Sequence, residues 1–153
     1  MFLKEAQENM LLEPQIYDAI HKLETGDASY LKIAFFAMAF EDREIVRNAG
    51  HGIRKCLEHA TVAQMIMLNE RFRNYSSFDS SIHWKKIDIR EKKTWFHSEQ
   101  DYLYVLILGS FHSDGYFREI CATELYHYPN TLGYLLLRLN DWVPSIRKNM
   151  FLL

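Results

Sequence analysis

Seven histidines and two cysteines are the residues of this 153-residue chain best suited to hold a metal or carry a nucleophile. His51, Cys56 and His59 lie close in sequence, as do His112, Cys121 and His127. At about 100° per residue, the first three point to different sides of a helix and cannot share an ion without bending it. The second three have no better spacing. The chain has no HExxH, no CxxC and no calcium-loop pattern, so no metal site is expected. It also lacks GxSxG, and neither cysteine has a neighbour that would lower its pKa. The six glycines are scattered and form no phosphate-cradling loop. On this reading the chain is not an enzyme and carries no cofactor.

Composition narrows the remaining classes. A hydrophobic fraction of 48% and a charged fraction of 25% suit one globular domain over 1–153 with a core of its own. A net charge of −2 does not favour nucleic acid as a partner. No stretch reaches the roughly 20 apolar residues that span a bilayer. The first residues carry acids within their apolar run, unlike a secretory leader. Two cysteines make no disulfide framework, and a reducing cytoplasm is the expected location.

The elements that would position any site are helical. Leu132, Leu135, Leu136 and Leu139 fall at i, i+3, i+4 and i+7. Phe117, Ile120, Cys121 and Leu125 do so one helix earlier, and Val143, Ile146 and Met150 one helix later. From the N-terminus, a short helix over 1–12 is followed by one opened by Pro14, with Ile16, Ala19, Ile20 and Leu23 on its apolar face. Asp27 or Ser29 caps a helix to about Phe40. The next runs from Arg43 to about His59, and a further one from Thr61 to about Tyr75, with Val62, Met65, Ile66 and Phe72 inward and Met67 as core filler. Gly50 and Gly52 each cost about 1 kcal/mol inside a helix, which predicts close packing where a Cβ would clash. Ser98 caps a helix to about Ser110, and its all-apolar run Tyr102–Leu108 predicts a central, buried position.

Asn74–Ser81 is the strongest loop signal. The stretch after it, through Ile82, Trp84, Ile87 and Ile89, fits either a strand or an irregular helix. Seven Lys/Arg against four Asp/Glu over 70–93 point to a solvated insertion, or else to a basic contact surface bearing aromatics. The C-terminus stops inside an apolar pattern with no cap. That predicts either a longer native chain, of which this is the N-terminal part, or self-association through this end.

Asn-Asp-Trp-Val-Pro-Ser-Ile-Arg at 140–147 resembles HEAT-like repeats of the bacterial kind, in which an acidic residue ends the turn and a Val/Ile-Arg pair opens the second helix. The resemblance covers 99–153, extends over 30–73 and is absent from 74–97. It implies an all-α superhelix, a solenoid of stacked antiparallel helix pairs. It also implies a structural ladder in which Arg47, Arg118 and Arg147 join Asp42, Asp114 and Asp141 of neighbouring repeats. As a function it implies a scaffold that binds another protein on its second-helix face, around Tyr116, Arg118, Trp142 and Arg147. Some HEAT-like proteins are DNA glycosylases, which makes a nucleic-acid-binding or DNA-repair role the alternative, with Trp95, Trp142 and Asp141 as candidates.

Overall fold

The computed structural model describes the backbone of residues 2–74 and 82–128, and the side chains of 13–61, 63–74 and 82–128. The leucine-rich helix, its successor, the uncapped end, and Asp141, Trp142 and Arg147 lie outside these residues, as do residues 75–81 of the loop. Among the described residues the fold is all-α, with no strand. No described helix is long and apolar enough to cross a membrane.

Helix α1 spans Phe2–Glu24 and contains Pro14. The sequence predicts a break at that proline, but the helix runs through it. Pro14 removes the donor that would reach the Met10 carbonyl. Downstream, Ile16, Ala19, Ile20 and Leu23 are all buried, and their burial offsets the loss. Gly26 closes the helix with φ +89°, a left-handed conformation that its missing Cβ permits.

The segment expected as one helix to Phe40 forms three short pieces. Asp27 caps a 3₁₀ turn over Ala28–Tyr30 by accepting from the Ser29 amide. Helix α2 follows over Leu31–Phe35, then a second 3₁₀ turn over Phe36–Ala39. The tightened end frees two carbonyls, those of Met38 and Phe40, and Lys92 Nζ donates to both at 2.7 Å. Lys92 is itself buried, and that burial holds its pKa below the ordinary lysine value.

Helix α3, Arg43–Leu57, is capped by Asp42, which accepts from the Glu44 and Ile45 amides. It packs between α1 and α5, the latter being Glu99–Gly109 capped by Ser98. Helix α4, Val62–Phe72, opens with a reciprocal Thr61–Gln64 capping box. Helix α6, Gly115–Leu125, packs on α5. As predicted, the apolar stretch of α5 is central: Tyr102, Val105, Leu106, Ile107 and Leu108 are all buried.

The stretch 82–96 is neither a strand nor a solvated insertion. It forms two 3₁₀ turns, Trp84–Lys86 and Ile89–Trp95, that deliver Trp84, Ile89 and Phe96 into the core. Trp84 sits 4.3 Å from the His112 ring, 5.0 Å from Phe117 and 5.8 Å from Phe35, centroid to centroid. Aromatic packing of this kind stabilises beyond area burial alone.

The two glycines of α3 differ. A Cβ on Gly50 would lie 2.5 Å from Phe96 Cδ1, whereas one on Gly52 would meet Ile20 and Leu23 at an ordinary 3.6 Å. Gly50→Ala is therefore expected to lose about 1–2 kcal/mol, overpacking exceeding the helix-propensity gain. Gly52→Ala is expected to gain about 0.5–1 kcal/mol. Chemical denaturation of the two variants checks this, and equal shifts of the same sign would contradict it.

Burial pushes the Tyr102 hydroxyl and the Cys121 thiol well above their ordinary pKa values. Both stay protonated in the folded chain while the unfolded chain releases its protons, so the folded state binds more protons and stability falls as pH rises above about 8.5. Cys121→Ala should make that fall in Tm shallower. An unchanged slope would contradict the assignment.

Candidate functional site

The one acid on the buried face of α5 is Asp101, which has no exposed surface. Burying a carboxylate without partners is costly, so the facing helix must supply them. Arg54 of α3 donates to Oδ1 at 3.2 Å. His51, one turn earlier, places Nδ1 3.5 Å from Oδ2. Both of these facing atoms are buried, and neither has a hydrogen-bond partner among the described residues. One turn earlier again, Arg47 reaches His97 Nδ1 at 2.7 Å. The His51 and His97 rings meet at 87° with centroids 6.1 Å apart.

This polar row borders a cleft of about 470 Å³ lined by Tyr17, Ile20, His21 and Glu24 of α1, Arg47, Asn48 and His51 of α3, and His97. The cleft is cationic on its α3 side. Its one acid, Glu24, lies 3.8 Å from His21.

A second cleft, about 620 Å³, lies between residues 26–32, the end of α3 and α4. Leu31, Leu57, Met65, Met67, Leu68 and Phe72 make most of its wall. Its charged lining is basic, from Lys32 and Arg71, with His59 beside them and no acid. On α4 next to it, Ile66 and Met67 are 41% and 49% exposed, although the sequence pattern places both inward. Few other elements pack on α4, so its apolar face is only partly covered.

Of the residues predicted to bind a partner, Tyr116 is exposed and Arg118 is not. Arg118 is 1% exposed, and its guanidinium donates to the His112 carbonyl at 2.6 Å and the Ser113 carbonyl at 3.3 Å. It fastens the turn before its own helix and presents no surface. Of the expected ladder, Asp141 and Arg147 lie outside the described residues. Asp42 and Asp114 cap their own helices, Asp114 accepting from the Phe117 amide at 2.9 Å. Arg47 turns to His97.

Sequence reasoning missed the Asp101 row. The i, i+3, i+7 spacing of Arg47, Gly50 and Arg54, with His51 beside them, was its only trace, and it marks a helix face without naming what that face meets. Among the described residues no three His, Cys, Asp or Glu side chains converge as ligands of one metal ion. No protein-family model, no curated protein and no solved structure matches the chain.

Arg54 and Asp101 are expected to behave as one unit. Arg54→Met strands a buried carboxylate and should lower Tm, and Asp101→Asn in the same chain should restore most of the loss. Simply additive losses in thermal denaturation would contradict the pairing.

Proposed function

We propose that the chain is a protein-interaction module that seats an amphipathic, acid-flanked helix of another protein in the cleft beside α4. The observation that carries this reading is the cleft's composition, an apolar wall rimmed by cations and free of acids. Grooves of this type take an apolar helix face as anchor, and methionines let the wall adapt to it. The rim adds a charge preference: Arg71 favours a ligand with Asp or Glu flanking its apolar stripe. The HEAT-like resemblance fits the same reading, since stacked helix pairs present such surfaces to partners. On this proposal the interaction face shifts from α6, where Arg118 is buried, to α4.

A fluorescently labelled model helix with leucine on one face and glutamate on the other tests it by anisotropy. The acidic peptide should bind, its lysine counterpart should bind at least about tenfold more weakly, and Met67→Glu should weaken the acidic peptide by a similar factor. Equal binding of both peptides, or none, would overturn the reading. Steep, salt-dependent retention of duplex DNA would favour the nucleic-acid alternative instead.

A further inference from the structure

We propose that the cleft between α1 and α3 is a phosphate-binding site, built to recognise an oxyanion that still carries a proton. The inference is independent of the protein-binding reading and rests on where the protons of two histidines must sit.

A guanidinium only donates, so His97 Nδ1, at 2.7 Å from Arg47, accepts. The proton of the neutral His97 ring is then on Nε2. His51 has the opposite arrangement. Its Nδ1 faces Asp101 Oδ2 at 3.5 Å, both atoms buried and neither otherwise hydrogen-bonded among the described residues. A carboxylate only accepts, so a proton on His51 Nδ1 is what reconciles the two atoms. The neutral His51 ring then keeps its lone pair on Nε2. Its side chain is 40% exposed although Nδ1 is buried, so the exposed edge is the one that borders the cleft.

The cleft therefore offers a cation and an N–H from Arg47 and His97, an amide from Asn48, and an acceptor on the same helix face as Arg47, His51 Nε2, while its acid, Glu24, lies on α1 beside His21. Arg47 is hydrogen-bonded to a neutral ring nitrogen of His97. A ligand that satisfies both kinds of group needs anionic oxygens and an O–H on one centre. Phosphate and phosphate monoesters meet this in their singly ionised form, which a monoester holds at and below its second ionisation near pH 6. Sulfate offers the same tetrahedral shape and charge but no proton. A volume of about 470 Å³ holds the phosphate and a small organic group beside it.

The test titrates the full ¹⁵N-labelled chain with inorganic phosphate, phenyl phosphate and sulfate at constant ionic strength. Binding is read by calorimetry, and histidine tautomers by long-range ¹H–¹⁵N correlation. Phosphate is expected to move the His51 Nε2 resonance and to bind at least about tenfold more tightly than sulfate. Binding of phenyl phosphate as well identifies a monoester as ligand, and binding of the free ion alone identifies phosphate itself. Arg47→Ala, at an exposed position, should weaken phosphate at least about tenfold. Asp101→Asn gives the sharpest readout. Its oxygen stays on Arg54, its amide donates to His51 Nδ1, the ring proton moves to Nε2, and the preference for phosphate over sulfate should vanish. Should that variant not fold, His51→Phe removes the same acceptor and should likewise abolish the preference. Equal affinity for sulfate and phosphate in the unaltered chain, or no response of the His51 ring, would overturn the proposal.

Discussion

Helix α5 is apolar on every side, and the molecule is arranged to cover it. Five of its side chains from Tyr102 to Leu108 are buried, each contributing about 1.5–3 kcal/mol by leaving water. One helix cannot cover such a surface, so α3 takes one side, α6 another, and Phe96 closes the N-terminal end with its ring 5.5 Å from Tyr102. Gly50 follows from this requirement, because only a residue without a Cβ lets α3 approach the Phe96 ring so closely. Asp101 follows too. Once the first turn of α5 is buried, its carboxylate must be met from α3, and Arg54 and His51 lie at the positions that face it.

The other end of the core is held by aromatic packing and by cations spent on backbone carbonyls. Trp84, Phe35, His112 and Phe117 pack around one another, drawn from four separate segments. Lys92 and Arg118 are both buried charges, and each is satisfied by carbonyl oxygens of irregular turns. Charged groups used in this way specify how a turn ends, since neither turn could leave its carbonyls unpaired away from water. They are also lost to any surface function.

Periodicity and caps were legible before any coordinate was known. Ser98 and Asp27 each open the helix or turn that their side chains suggested, and the buried run of α5 was visible as an unbroken apolar string. The irregular elements were legible only as an open choice between a strand and an irregular helix after residue 81, for a physical reason. The 3₁₀ turns over 84–95 are too short to set up a period, and their role is fixed by what Trp84 meets 28 residues later in His112. Arg118 reads as a surface cation until its carbonyl partners at 112 and 113 are in place. An acid followed by a Val/Ile-Arg pair suggested contacts between repeats, and among the described residues that acid also serves as its own helix's cap. The Asp101 row joins residues 47 apart, so nothing local could have marked it.

Coverage of α5 also implies an uneven distribution of stability. Helix α3 is locked between α1 and α5, whereas α4 keeps Ile66 and Met67 in water and stands at the margin of the core. Native-state hydrogen exchange measures this directly. The account predicts that amides of α3 and α5 exchange only through global unfolding, with one common free energy, while those of α4 open locally at lower cost. Amides of α3 that exchange more readily than those of α4 would contradict it.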